Sequence, residues 1–268
     1  MILGRLCAAG RLQIADRGRL RAPALRVTKD ALAPCRPQWQ EQAMNTHPFS
    51  FHGARLHALP SGALHWPDAG MLVVSDLHLG KSARLSAIGG AQLPPYETRE
   101  TLQRLDRDLA ATGATRVICL GDSFDTPGID AILPEDDLLW INRLQAGRDW
   151  IWIAGNHDPA PVALSGHHRA DYRTGPLSFR HIATSEATAE VSGHYHPKAR
   201  LVARGRALTR ACFLCDARRL ILPAYGAYTG GLFCDTPRLS TLMGPEALAI
   251  LTGPRPIAIP MPRSAVAR

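Results

Sequence analysis

The sequence predicts a layered α/β fold, and three observations lead there. Apolar strands alternate with amphipathic helices between residues 71 and 154. After residue 165 the chain becomes strand-rich, with few helix signals. Acidic, imidazole and amide side chains follow one apolar strand after another, where the sites of open α/β sheets lie. The length of 268 residues, with 46% hydrophobic and 20% charged side chains, is enough for one large domain with a full core.

The elements follow in chain order. Short strands are expected over Arg55–Leu59 and Ala63–Trp66, with Pro60-Ser61-Gly62 as the turn between them. Met71–Val74 is a continuous apolar strand. Residues 96–112 predict a helix: Leu102, Leu105 and Leu109 recur at helical spacing, Pro94-Pro95 precede and Gly113 follows. Thr115–Leu120 is a β-branched strand ending at Gly121-Asp122. Leu138, Ile141 and Leu144 share one face of a second helix over 135–146, and Trp150–Ala154 is a third apolar strand. Later strands are expected at Leu177–Ile182, Ala189–Ser192, Ala199–Ala203, Cys212–Leu214 and Leu220–Leu222. Strands buried on both faces early and meandering strands later fit one α/β domain over residues 44–268.

The net charge of +8 is uneven. Residues 1–43 hold eight basic and three acidic side chains. That stretch is expected to be a basic, disordered extension, or a misplaced start with Met44 as the true one. No run reaches the roughly 18 apolar residues of a membrane helix, and Arg5 and Arg11 interrupt any secretory signal. A cytoplasmic protein with free thiols and no membrane partner is expected. Cys212 and Cys215 form a lone CxxC, weak evidence for zinc.

The chemistry-bearing residues stand at strand ends. Asp76 and His78 follow the first apolar strand in SDLHLGK, Asp122 the second in LGDSFD, and Asn156, His157 and Asp158 the third in AGNHDP. His181, His194 and His196 come later, the last two in SGHYHP. Imidazole with carboxylate and amide suits Mn, Fe or Zn better than Ca or Mg. The group is too large for one ion, and suits two that share a carboxylate and clamp a phosphoryl displacement. If the D-x-H and H-x-H segments are extended, each pair of side chains points to one side. Singly, Asp76 and Asp122 would read as turn residues or helix caps; together with the histidines they read as a dinuclear site.

In that order, SDLHLGK, LGDSFD, AGNHDP and SGHYHP resemble the calcineurin-like metallophosphoesterases over about residues 50–235. The resemblance implies their fold, a β-sandwich flanked by helices with a dinuclear metal site at the strand C-terminal ends. It implies Asp76, His78 and His196 on the first metal, Asn156, His181 and His194 on the second, and Asp122 between them. His157 is implied as a catalytic residue over the phosphate, with Asp158 orienting its ring. His181 departs from the usual pattern, being followed by Ile182 and not glycine. LPSGALHWPDAG, LPPYETRETLQRL and LPAYGAYTGGL resemble the bacterial ligase-associated DNA damage response endonucleases more narrowly.

That narrower resemblance implies a phosphodiesterase acting on DNA, single-stranded or damaged, in DNA repair alongside a DNA ligase, a helicase and a second nuclease. Two divalent ions are expected, Mn foremost with Fe or Zn as alternatives, and a metal-bridging hydroxide as nucleophile. The rivals are a phosphomonoesterase, a cyclic-nucleotide or lipid-precursor hydrolase, and a non-catalytic scaffold. Three features stay open: Lys81 as a phosphate contact or a solvated lysine, Tyr228 as a base platform or a turn residue, and Arg200, Arg204, Arg206 and Arg210 as a DNA track or a solvated face; Trp140, Trp150 and Trp152 are expected in the core and not as base-stacking platforms.

Overall fold

The computed structural model describes residues 45–263 apart from 88, 90–95, 130–131, 160–163, 187 and 204. Residues 42–268 form one compact unit. The expected extension over 1–43 lies outside the described residues.

The first sheet runs in chain order: β1 (His47–Phe51), β2 (Ala54–Ala58), β3 (Leu64–Trp66), β4 (Met71–Val74), β5 (Arg116–Cys119), β6 (Asp149–Ile153) and β7 (His167–Arg169). Tight turns join β1 to β4 as antiparallel neighbours, whereas β4 to β7 are parallel. Parallel neighbours need crossovers. Helices α1 (Lys81–Ala87) and α2 (Glu97–Thr112) link β4 to β5, and α3 (Glu135–Gln145) links β5 to β6. α2 begins with Glu97 and Glu100 against the helix dipole and ends where Gly113, at φ 64°, donates its N–H to the Leu109 carbonyl.

The second sheet holds β8 (Asp171–Thr174), β9 (Leu177–Arg180), β10 (Glu190–Ser192), β12 (Arg206–Cys215), β13 (Arg219–Ile221), β14 (Leu248–Leu251) and β15 (Ile257–Pro260), while β11 (Lys198–Ala203) pairs with β12 outside that path. Strands β9, β10 and β13 run parallel. A last helix, α4 (Pro237–Leu242), follows β13.

Strand alternation builds the layers. Leu72, Val74, Val117, Cys119, Trp150 and Trp152 face α2 and α3, where Leu102, Leu105, Leu109, Ile141 and Leu144 meet them. Met71, Val73, Ile118, Leu120, Ile151 and Ile153 point the other way and pack on Leu177, Phe179, Val191, Phe213 and Leu220 of the second sheet. Each such side chain contributes about 1.5–3 kcal/mol on burial. Cys212, Leu214 and Ile221 face outward onto Leu239 and Met243 of the α4 segment. The result is helices, sheet, sheet and helix. The central strands β4, β5 and β6, together with β9 and β10, all send their C-terminal ends into the loops that carry the candidate ligands.

Candidate metal centre

Every ligand candidate leaves the end of a strand. Asp76 and His78 follow β4, Asp122 follows β5, Asn156 to Asp158 follow β6, His181 follows β9, and His194 and His196 follow β10. The β4–β5 ladder continues past the strands: the N–H groups of Asp76, His78 and Leu79 donate to the carbonyls of Gly121, Asp122 and Ser123 at 3.2, 2.9 and 3.0 Å. The ligand loops are thus pinned to each other by backbone.

Their conformation corrects one expectation. Asp76, His78, Asp122, His194 and His196 have φ of 53°, 45°, 46°, 69° and 46°. The D-x-H and H-x-H segments are not extended; left-handed residues aim their side chains. Such a backbone costs an L-residue about 1–2 kcal/mol, least for Asp and Asn. Strain of this kind is concentrated at functional sites.

The side chains converge. Asp76 Oδ1 lies 3.0 Å from His196 Nε2, and Asp122 Oδ2 lies 3.3 Å from His181 Nε2 and 4.0 Å from His78 Nε2. His181 Nε2 also meets Asn156 Oδ1 at 2.9 Å and His194 Nδ1 at 3.2 Å. Donor atoms fall into three overlapping groups, each within 4.8 Å: Asp76, His78 and His196; His78, Asp122 and His157; Asp122, His181 and His194. Asp122 therefore stands between the other ligand candidates.

The donors fit metal ions. Asp76 Oδ1 and His196 Nε2 are buried and face each other at 3.0 Å without hydrogen-bond alignment, a rare state unless something else is coordinated. The other carboxylate oxygen, Asp76 Oδ2, accepts from Ser75 Oγ at 2.5 Å and from the His194 N–H at 3.0 Å. The Leu120 carbonyl can only accept, so His181 Nδ1, 2.8 Å away, carries the proton and turns the Nε2 lone pair to the site. Burial pushes the Asp76 carboxyl up, but the His196 and His181 imidazoles outweigh it and hold it below its ordinary value. The same contest leaves Asp122 at about 2, with His181 foremost against burial. Burial also pulls His181 down, yet Asp122 and Asp76 raise it overall. A divalent ion would displace that proton.

Three supporting residues were not singled out from the sequence. Ser75 holds Asp76. Asp125, in the same LGDSFD motif, lies 3.2 Å from His78 Nδ1, and Arg84 grips its other oxygen. This pair turns His78 Nε2 inward. A second carboxylate three residues after Asp122 was the available signal. His157 is exposed, and its Nδ1 lies 3.1 Å from the Asp125 carbonyl, leaving Nε2 free.

Asp158 does not orient His157 as expected. Its Oδ1 accepts the N–H groups of Asp122 (2.9 Å) and Gly155 (3.0 Å), and its Oδ2 those of Ser123 (2.7 Å) and Phe124 (3.1 Å). All its acceptor capacity goes to the two loops carrying Asp122 and Asn156. Burial raises the Asp158 carboxyl above its ordinary value, despite the N–H groups of Phe124 and Ser123.

Segments without chemistry in the sequence now have a place. The N–H groups of Tyr225, Gly226 and Ala227 donate to Ser75 O, Asp76 O and Thr101 Oγ1 at 2.8, 3.1 and 3.0 Å. Arg104 donates to Tyr225 O at 2.7 Å, and the Tyr225 hydroxyl to Asp108 at 2.8 Å. Glu97 accepts from Ser82 N and Oγ, and Thr98 Oγ1 accepts from Gly80 N. α2 thus braces both the first ligand loop and the YGAYTGG loop. A Cβ on Gly226 would stand 2.1 Å from the Leu77 carbonyl oxygen, so only glycine permits this approach. Lys81 reaches the Tyr228 carbonyl at 3.3 Å. Cys212 and Cys215 face opposite sides of β12, and Cys212 sits 3.5 Å from Cys234, so the CxxC offers no shared ion site. Trp150 and Trp152 are core.

Residues 71–213 match the calcineurin-like phosphoesterase family. The chain belongs to that family. Among curated proteins none matches it. Among solved structures, a nuclease named MPE from Pseudomonas putida is 29% identical, with 80% of this chain and 100% of that one covered and a TM-score of 0.62. This calcineurin-like phosphoesterase is therefore a metallophosphoesterase hydrolase with the α/β fold expected of it. Among the described residues no helix is long and apolar enough to cross a membrane.

Proposed function

We propose that this phosphoesterase is a cytoplasmic nuclease that hydrolyses phosphodiester bonds in DNA with two divalent ions, manganese foremost with iron or zinc as alternatives, and serves DNA repair beside a ligase, a helicase and a second nuclease. The observation that carries the reading is the position of Asp122 between two sets of imidazole and carboxylate donors; the likeness to a Pseudomonas nuclease supports a nucleic-acid substrate. Asp76, His78 and His196 would hold one ion and Asn156, His181 and His194 the other, with Asp122 shared. Bound ions of this kind supply positive charge to the phosphoryl oxygens and lower the pKa of water.

The chain's own groups do the rest. Asp125 and Arg84 fix the His78 ring, and Ser75 and the His194 N–H fix one oxygen of Asp76 so that the other faces the site. His157, its Nδ1 held by the Asp125 carbonyl, presents Nε2 to the leaving oxygen as a proton donor or as a hydrogen bond to developing charge. Asp158 keeps the second and third ligand loops in register.

The test is a panel of single-stranded DNA, duplex DNA, a cyclic nucleotide and a phosphomonoester, each with Mn, Fe, Zn and Mg in turn. DNA cleavage that disappears in His78→Ala and Asn156→Ala is expected. Turnover confined to the monoester or the cyclic nucleotide, or wild-type DNA cleavage by both variants, rejects the proposal.

A further inference from the structure

Next to the candidate ligands lies a cavity of about 410 Å³, and His196 is the ligand candidate that contributes to its wall. Arg104, Lys198, Arg210 and Tyr228 line it, with Gly226 and Gly253 among the backbone walls. Its volume suits about one nucleotide unit.

The charges in it are unbalanced. Arg104 is engaged with Glu100 at 3.1 Å and with the Tyr225 carbonyl. Lys198 Nζ reaches the Thr229 carbonyl at 3.5 Å. The Arg210 guanidinium lies beside Gly253, where a Cβ would meet its Nη1 at 3.2 Å. The carboxylate among the lining residues is Glu100, and Arg104 is its partner. Lys198 and Arg210 are half-buried. Two partly desolvated cations in a concave wall whose carboxylate is taken by Arg104 form a receptor for an anion.

The mouth carries a second signal. Tyr228 is 51% exposed although it is a large aromatic. It is held at φ 56°, a strained backbone for a non-glycine residue. Lys81 grips its carbonyl, and Thr229 Oγ1 donates to the Gly226 carbonyl at 2.9 Å. The flanks are anchored too: Gly226 packs on the Leu77 carbonyl, and Gly231 on that of His196. An exposed aromatic ring on an anchored loop beside two cations is the arrangement that binds single-stranded nucleic acid, bases on the ring and phosphates on the cations.

We infer that this cavity is a nucleotide subsite: Lys198 and Arg210 hold the phosphate next to the scissile one, and Tyr228 stacks on the base attached to it. The inference rests on the nuclease reading and sharpens it. A base stacked on Tyr228 is unpaired, so the substrate is a single-stranded polynucleotide longer than a dinucleotide. Lys198, Arg210 and Tyr228 would touch the substrate beside the scissile phosphate and not at it.

The experiment uses the Mn-loaded full chain, a fluorescent single-stranded oligonucleotide and the small diester bis(p-nitrophenyl) phosphate. Lys198→Gln/Arg210→Gln is expected to raise KM for the oligonucleotide about tenfold, with kcat changed less than about threefold. Two lost contacts at about 0.7 each lower the slope of log(kcat/KM) against log[salt] by about 1.4. Tyr228→Ala is expected to raise KM fivefold or more, and Tyr228→Phe, which keeps the stacking face, to restore it. An unchanged salt slope, a loss confined to kcat, or a Tyr228→Phe as weak as Tyr228→Ala overturns the subsite while the nuclease reading stands. A wild-type protein that cleaves the small diester but no oligonucleotide overturns the nuclease reading, and the subsite with it.

Discussion

Asp158→Asn separates a brace from a catalytic partner. The substitution preserves volume, so no cavity term enters. In the native loop each carboxylate oxygen accepts two backbone N–H groups, at 2.7 to 3.1 Å. Asn keeps one oxygen and turns an NH₂ toward the other two donors. Two charge-assisted bonds disappear, at about 1.5–3 kcal/mol each, which gives roughly 3–6 kcal/mol. Relief of a buried charge, which burial and the Asp122 carboxylate already disfavour, offsets part of that, so a net loss of about 3 kcal/mol is expected. Guanidinium denaturation of metal-free protein reads it as a lower midpoint at unchanged m; by heating, Tm falls about 6–12 °C. A double-mutant cycle with His157→Ala supplies the second reading. Because Asp158 spends its oxygens on backbone, Asp158→Asn is expected to cost as much stability in the His157→Ala background as in the wild type. Stability within about 1 kcal/mol of wild type, together with a kcat loss that vanishes in the His157→Ala background, would refute the reasoning and return Asp158 to the imidazole.

Asp125→Asn leaves the His78 ring without its carboxylate and Arg84 without its partner, so manganese affinity by calorimetric titration is expected to fall about 10–100-fold. Gly226→Ala puts a methyl 2.1 Å from the Leu77 oxygen; the first ligand loop must shift, and a loss of about 1–3 kcal/mol with reduced metal content is expected from denaturation and elemental analysis. Acid sensitivity follows from Asp122, at about 2 in the fold against 3.8 ordinarily. The unfolded chain takes the proton first, so this stabilisation is present above about 3.8 and is lost as pH falls through about 2; urea midpoints of metal-free Asp122→Asn are expected to decline less over that window than wild type. His65 behaves over a higher range. Burial, then His57, depress it to about 4, so the unfolded chain binds the proton from about 6.5 downward and stability drops between 6.5 and 4; His65→Gln is expected to flatten that drop.

The parts of the fold legible in the sequence were those with an apolar signature. Continuous apolar runs marked β4, β5 and β6, and the Leu102, Leu105, Leu109 spacing placed α2 within a residue of its observed start. β7 and β8 read HHR and DYRT, edge strands with little buried surface and no alternation to detect. α1 was missed because Glu97 and Ser82 tie it down by polar contacts rather than an apolar stripe. β12 runs ten residues where three were expected, since its arginines break the apolar pattern without breaking the ladder with β11. At the site, residue type and strand-end position gave away the ligand candidates. Backbone sign did not follow from type, so the left-handed turns at Asp76 and His78 were read as extended. Adjacency misled at Asp158: next to His157 in sequence, it turns away to the amides of two loops.

The five left-handed donors also bear on how long such a chain survives in a cell. Each is a residue that glycine would replace with a more relaxed backbone, so the empty scaffold is held back by its own ligands. An ion present at a hundred times its dissociation constant stabilises the native state by about 2.7 kcal/mol, comparable with the strain of about two such residues. Proteases act on chains that open, and the unloaded chain opens more often. Cellular abundance of this protein would then follow metal supply, and the molecules that persist would be those already charged for work.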